Sequence, residues 1–281
     1  MQIPDLPMND VPFFAPDFDN WLQPNCNYIN IADLSSYVPC ISFAVLMINI
    51  RSCRKNFNQF IAQFCNVLSY FSCIIFTETW LTEDVDNVFN IPGYYCFNLY
   101  RNNFGGGIKM YFKNCIQGRI LEDFTFINDY FEMLTVELMF GTNKTVLCSL
   151  YHPPTSSIQG NNAFIDSLAN VLNLLSNRNI PLLLAGDMNI NLLNPGNMVY
   201  VNTFINMMFE LGLSPVITAP TKVNVGNHIT RFSIIDHIWT SNSIINISSC
   251  IFPLDITDHF PVCAFIRFPF DSSVKKTRSL F

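Results

Sequence analysis

The chain is poor in charge. Only 13% of its 281 residues are Asp, Glu, Lys or Arg, and 15 basic residues face 21 acidic ones, for a net charge of −6. That balance disfavours a broad basic face that would grip nucleic acid by neutralising phosphates. A nuclease is still allowed, because a bound divalent ion offsets acids clustered in a site. Long hydrophobic runs are also missing. The most apolar early stretch, Ile41 to Ile48, falls well short of the roughly 20 residues a membrane-spanning helix needs. Distributed strands therefore account for the positive mean hydropathy. No basic segment followed by an apolar core opens the chain at Met1-Gln2-Ile3-Pro4-Asp5, so a secretory signal is not expected. The 10 cysteines include no Cys-x-x-Cys and no zinc-type spacing. Cys65, Cys73, Cys148 and Cys263 fall inside apolar segments, where a thiol behaves as a small hydrophobe. A reducing intracellular compartment suits this pattern.

What is abundant is core material: half the residues are hydrophobic and 27 are Phe. Residues 1–38 are rich in Pro, Asn and Asp without a sustained period and read as a poorly ordered lead-in, with Phe13-Phe14 and Trp21-Leu22 as isolated apolar pairs. A single domain is expected over residues 39–270, followed by a frayed tail at 271–281. Ile41 to Ile50 reads as a strand ending at Asn49. Phe57, Phe60, Ile61, Phe64, Cys65 and Leu68 carry the spacing of an amphipathic helix. Strands are expected at 72–76, 94–100, 108–112, 131–138, 145–151, 182–184, 234–239, 244–251 and 262–268. Helices are expected at about 161–175 and 200–211, the second stopped by Gly212. Hairpin-like neighbours alternate with βα units, which predicts two packed sheets covered by helices in place of one parallel sheet.

The strand ends carry a recurring chemistry. Asn49 closes the first strand, Glu78 follows the second, Tyr151 ends a middle one, and Asp187 with Asn189 follows the apolar run Leu182-Leu183-Leu184. Asp236 and Asp258-His259 sit beside the last two. A buried carboxylate is costly unless it is paired or bound to a metal, so repeated acids at strand ends suggest a shared site. Hard oxygen donors of this kind suit magnesium or manganese better than zinc. From the residues alone other readings stay open. Gly186-Asp187-Met188-Asn189 also fits a turn with a capping aspartate, Glu78 a helix-start acid, and Asp236 a satisfied polar group on a strand. His237 alternates with Asp236 and reads as structural. Gly105-Gly106-Gly107 reads as a hairpin turn, since no helix or Lys-Ser/Thr follows as a phosphate loop requires.

Eight segments in order carry a resemblance. They are Asn49-Ile50-Arg51-Ser52, Thr77-Glu78-Thr79-Trp80-Leu81, Ile91-Pro92-Gly93-Tyr94, and Tyr100-Arg101 with Gly105-Gly106-Gly107-Ile108. They continue with Tyr151-His152-Pro153-Pro154, Gly186-Asp187-Met188-Asn189, Ser233-Ile234-Ile235-Asp236-His237-Ile238, and Thr257-Asp258-His259-Phe260-Pro261-Val262. Across roughly residues 41–268 the chain resembles the endonuclease/exonuclease/phosphatase superfamily, most closely the apurinic-endonuclease-like domain of non-LTR retrotransposons. That resemblance implies a DNase I-like, four-layer α/β sandwich of two mixed β-sheets flanked by helices. It also implies a Mg2+ or Mn2+ cofactor and hydrolysis of a phosphodiester.

The resemblance assigns roles position by position. Glu78 would be the principal metal ligand, with Asn49 and Asp258 in or next to the metal shell. Asp187 would orient and deprotonate water, helped by Asn189. Asp236 would hold His259, whose other nitrogen meets the scissile phosphate, and Tyr151 would contact the phosphate or assist the leaving oxygen. Tyr100, Arg101, His152, Thr221 and Ser233 are candidate substrate contacts, although turn, strand or ion-pair chemistry explains several of them as well. Three positions depart from the pattern: His152 where Arg is common, Met188 where Phe is common, and Thr257 where Ser is common. None removes a catalytic group.

The expected function is nicking of one DNA strand, as in target-primed insertion of a retroelement. A phosphomonoesterase acting on inositol or lipid phosphates is one alternative, and a domesticated or decayed domain that binds nucleic acid without cutting is another. DNA is the expected partner of a monomer that needs no membrane, inside the cell and in the nucleus, with a reverse transcriptase domain outside this chain.

Overall fold

The continuous apolar runs lie where burial on both faces demands them, in the middle of two sheets. The computed structural model describes residues 26–38, 43–101, 105–193, 198–225, 230–244 and 247–268. Their strands are β1 (Cys26–Tyr28), β2 (Phe43–Asn49), β3 (Cys73–Thr77), β4 (Tyr94–Leu99), β5 (Ile108–Lys113), β6 (Gln117–Ile120), β7 (Phe126–Ile127) and β8 (Glu132–Phe140). They continue with β9 (Asn143–Tyr151), β10 (Leu182–Asp187), β11 (Leu213–Pro215), β12 (Lys222–Val225), β13 (Thr230–Ser233), β14 (Asp236–Ser241), β15 (Ile247–Ile251) and β16 (Val262–Ile266). The α-helices are α1 (Leu34–Tyr37), α2 (Cys53–Phe64), α3 (Ile158–Ser176) and α4 (Val199–Glu210).

One sheet has the order β1-β15-β16-β2-β3-β5-β4 and the other β11-β14-β10-β9-β8-β6, with β7 also on β8. Parallel pairs (β1 with β15, β2 with β3, β9 with β10) sit among antiparallel ones, so both sheets are mixed. The period of two in β2 places its residues. Phe43, Val45 and Met47 enter the core between the sheets, while Ala44, Leu46 and Ile48 join Phe57, Phe60 and Phe64 of α2 on the outer face. Phe164 of α3 and Phe204 of α4 cover the far side of the second sheet, with Phe204 edge-on to Trp239 at 5.7 Å. The result is the expected sandwich of helix, sheet, sheet and helices.

Several boundaries differ from the sequence reading. The lead-in expected to reach residue 38 is shorter, because Cys26–Tyr28 pairs with β15 and Ile29 and Leu34 are buried. Phe13-Phe14, Trp21-Leu22 and the tail 271–281 lie outside the described residues. Helix α2 starts before its apolar stripe: Asn56 is buried because its side chain donates to the carbonyls of Ile50 and Arg51, a polar burial that apolar spacing does not register. It also ends at Phe64, leaving Leu68 in a separate short turn. Strands β1, β6, β7, β11, β12 and β13 were not expected. Gly212 does stop α4, with a left-handed φ of 68°.

Gly186 lets β10 approach β9 closely. A Cβ at this position would lie 1.8 Å from the carbonyl oxygen of Leu150, and backbone cannot move aside as a flexible side chain can. Gly186→Ala is expected to lower the free energy of unfolding by about 1–3 kcal/mol or more, as overpacking does. Urea denaturation measures this, and an unchanged midpoint would contradict the close approach.

Candidate active site

Register brings the strand-end residues together. Across β8, β9, β10 and β14, Glu132 faces Tyr151, Tyr151 faces Asp187, and Asp187 faces Asp236. In the other sheet Asn49 faces Thr77, the last residue of β3, and Glu78 follows at once. One side chain bridges the two sheets' acids at these ends. The Asn49 amide nitrogen donates to Glu78 Oε1 at 2.8 Å and to Asp187 Oδ2 at 2.8 Å. Its oxygen accepts from the Arg51 N–H at 3.1 Å, which fixes the amide's orientation.

The loops that present these groups hold strained backbone. Arg51, Ser52, Glu78, Trp80 and Asn189 all have φ between 44° and 84°. For residues other than Gly and Asn such conformations cost about 1–3 kcal/mol each and persist only when neighbours impose them. Here the loops are laced together. Ser52 and Cys53 N–H donate to the carbonyls of Glu78 and Thr79, and Thr79 and Trp80 N–H donate to those of Gly107 and Gly106. The Gly107 N–H donates in turn to Glu132 Oε2 at 2.6 Å. Gly106 and Gly107 thus lie in the connection between β4 and β5 and clamp the Glu78 loop.

Asp187 is fully buried, and its Oδ1 accepts from the Asn189 N–H at 3.0 Å. Asn189 is itself fixed by donating to the His152 carbonyl at 2.7 Å. Burial, then the charge of Asp236, raises the Asp187 pKa to about 7, although His259 and Asn49 oppose the shift. Tyr151 faces Glu78, and burial together with the charges of Glu78 and Asp187 keeps its phenol protonated far above its usual range. Glu132 is likewise raised by burial, against the Gly107 N–H and Arg101.

His259 is buried beside this row. Its Nδ1 lies 3.0 and 2.9 Å from the two oxygens of Asp236 and 3.9 Å from Asp187 Oδ2. Burial opposes its cation, yet Asp236 and then Asp187 outweigh burial and raise its pKa. The Thr257 hydroxyl ties its loop to β2 by donating to the Asn49 carbonyl at 3.0 Å, and it accepts from the His259 N–H.

The five residues expected to do chemistry, Tyr151, Asp187, Asn189, Asp236 and His259, thus converge with Glu78 and Asn49. Other candidates take different positions. His152 points to the opposite side of β9 from Tyr151, where it stacks on Phe164 at 4.0 Å and its Nδ1 meets the Tyr130 carbonyl. It is structural and makes no phosphate contact. Thr221 is fully buried and its hydroxyl donates to Asp236 Oδ2 at 2.7 Å, so it orients that acid and does not touch a substrate backbone. Arg101 pairs with Glu132 at 3.2 Å. Tyr100 is partly buried against the α2 core. Ser233 lies opposite Lys222 in the β12–β13 hairpin, and its carbonyl accepts from the Thr221 N–H. His237 is structural as expected. Its Nε2 donates to the Ile234 carbonyl, and burial lowers its pKa to about 4.

Two of the three expected metal ligands have protein partners in the structure. Asp258 is held by Arg51 at 2.7 Å and Lys222 at 3.1 Å, which neutralise its charge. Asn49 presents donor nitrogen to the acids, so it acts as a bridge between them. Glu78 fits a hard cation: it is half-buried, and among the described residues no lysine or arginine pairs with it. Glu78, Asp187, Asp236 and Glu132 also outnumber the cations nearby, which favours a divalent ion. Asp187, Asp236 and His259 place ligand atoms within 4.8 Å of one another, but the His259 Nδ1 is already committed to Asp236.

Sequence reading missed Glu132 and Lys222. The first signals itself only as an acid opening an apolar strand, the second only as a cation after Thr221.

The Asp187 shift has a consequence for stability. A carboxyl group with a raised folded-state pKa stabilises the fold below its unfolded value and loses that contribution as pH climbs through about 7. Asp187→Asn removes the titration, so in chelator its stability relative to the native protein should be more favourable at pH 8 than at pH 5. Urea titrations at both values measure this, and an equal difference would contradict the buried like-charge pair.

Comparison with known proteins bears on the fold. Residues 145–263 match the family model described as Endonuclease-reverse transcriptase. No curated protein sequence matches. Among solved structures, the endonuclease domain of TRAS1, a telomere-specific non-LTR retrotransposon, is 14% identical with a TM-score of 0.61, covering 81% of this chain and 99% of that one. The AP endonuclease LMAP from Leishmania major is 13% identical with a TM-score of 0.67, covering 92% and 100%. The human Nocturnin catalytic domain with bound sulfate is 14% identical with a TM-score of 0.60, covering 81% and 93%. At such identities the likeness is one of fold. The resemblance to the endonuclease/exonuclease/phosphatase superfamily therefore stands, carried by sequence over residues 145–263 and by a shared DNase I-like fold over most of the chain.

Proposed function

We propose that this chain is a divalent-metal-dependent phosphodiesterase, and that its reaction is nicking of one DNA strand during insertion of a retroelement. The observation that carries this reading is the Asn49 bridge, which sets Glu78 and Asp187 side by side next to the Asp236–His259 pair. Phosphoryl transfer needs placement and charge neutralisation more than covalent catalysis, and this constellation offers both. A Mg2+ or Mn2+ ion held by Glu78 would neutralise charge building up on the phosphate.

The remaining roles belong to the side chains. Asp187, with a pKa near 7, is matched to taking a proton from water close to neutral pH. Asn189, fixed by the His152 carbonyl, positions that water. Asp236 holds His259 by Nδ1 and leaves Nε2 to face the phosphate. Tyr151, kept protonated, donates toward the phosphate or the departing oxygen. The matched family description and the TRAS1 likeness favour DNA as the substrate. Activity on DNA in insertion places the protein in the nucleus, alongside a reverse transcriptase domain.

Purified protein with Mg2+ should relax supercoiled plasmid by single-strand nicking and stop when chelator is added. Asp187→Ala and Glu78→Ala should each lower the rate by at least about 100-fold. The rate should fall as pH drops below about 7, because a protonated Asp187 cannot accept the water's proton. Plasmid relaxation no faster than the Glu78→Ala control would sink the proposal, and phosphate release from inositol phosphates with intact DNA would replace it.

A further inference from the structure

Lys222 is a further cation of the site, and its sequence neighbours gave no reason to single it out. It opens the β12–β13 hairpin and is held by backbone on both sides. Thr221 N–H donates to the Ser233 carbonyl, Phe260 N–H donates to the Thr221 carbonyl at 2.7 Å, and Lys222 itself forms an isolated bridge with His259. Its side chain is only 15% exposed. The ammonium lies 2.9 Å from His259 Nε2 and 3.1 Å from Asp258 Oδ2.

This placement sets out the charges. Nδ1 of His259 is spent on Asp236, so Nε2 is the nitrogen left for a ligand. Any anion reaching Nε2 also reaches the ammonium. Asp258 does not cancel that cation, because Arg51 pairs with the same carboxylate. Two cations share one acid, so the Arg51–Asp258–Lys222 cluster carries one net positive charge beside His259. An ammonium carries three N–H donors, and the two contacts described use two of them.

We propose that Lys222 is a phosphate-binding residue, which with His259 Nε2 forms a two-pronged seat for the scissile phosphate of the nucleic-acid backbone. In the unliganded protein the ammonium donates to the Nε2 lone pair. When phosphate arrives, that N–H turns to a phosphate oxygen, and Nε2, with a proton taken up from solvent, donates to the same group. The inference rests on the phosphodiesterase reading for its ligand, but phosphate binding tests it without turnover.

The test compares native protein, Lys222→Met, Lys222→Arg and the surface control Lys55→Met. Inorganic phosphate binding is followed by 31P and imidazole 15N resonances, and plasmid nicking by separate KM and kcat. Lys222→Met should weaken phosphate binding about tenfold or more, the worth of a charge-assisted hydrogen bond. It should also lower the salt dependence of DNA binding by about one ion. Lys222→Arg should restore most of the affinity, and Lys55→Met should behave as native. The His259 Nε2 resonance should move with phosphate in native protein and shift in Lys222→Met before phosphate is added. If Lys222→Met does not unfold cooperatively on heating, Lys222→Gln takes its place. Native phosphate affinity and KM in a folded Met or Gln variant would overturn the proposal even if the protein nicks DNA. A Lys222-dependent phosphate site in a protein that leaves DNA intact would uphold it while the nicking reading fails.

Discussion

The Asn49 amide joins the two sheets at the point where each delivers a carboxylate, and the site depends on that contact. Two acids at 2.8 Å from one nitrogen repel each other and are compatible only with a donor between them or a cation beside them. The surrounding structure turns that repulsion into a fixed arrangement. The Arg51 N–H fixes the amide, the Thr257 hydroxyl ties the His259 loop to the Asn49 carbonyl, and the Gly106 and Gly107 carbonyls hold the strained Glu78 turn. The cost of the left-handed residues is met by hydrogen bonds among the loops that follow β2, β3 and β4, and the Gly107 N–H bond to Glu132 ties these loops to the second sheet.

Charge within the site is asymmetric. Acids crowd the row Glu132, Tyr151, Asp187, Asp236 and the neighbouring Glu78, while Arg51, Lys222 and His259 gather around Asp258. One side attracts a cation and the other an anion. A phosphate bound between them would meet both, so under the proposed function a net charge of −6 is compatible with a polyanionic substrate.

The central strands were legible because burial on both faces demands unbroken apolar runs, as in Phe43–Ile48, Ile74–Phe76 and Leu182–Ala185. The acids beside them stood out because nothing apolar explains a carboxylate at such a place. Edge elements were not legible. Cys26–Tyr28, Gln117–Ile120 and Thr230–Ser233 lie at sheet rims or outside the sheets, and none of their residues is fully buried. Side-chain direction was equally hidden. His152 and Tyr151 are adjacent in sequence yet serve opposite faces, and Thr221 and Asp258 turned to internal partners that lie far away along the chain. Glu132 meets Gly107 and Arg101, contacts that follow from the packing of β8 against the β4–β5 connection of the other sheet and from no local motif.

The central claim is that the acids assembled around Asn49 form a divalent-ion site at Glu78. Calorimetric titration with Mn2+ tests it directly, comparing native protein with Glu78→Gln at pH 7.5. The account predicts one ion bound per native chain and loss of that binding in Glu78→Gln, with the fold intact by circular dichroism. Equal Mn2+ binding by both proteins would contradict it.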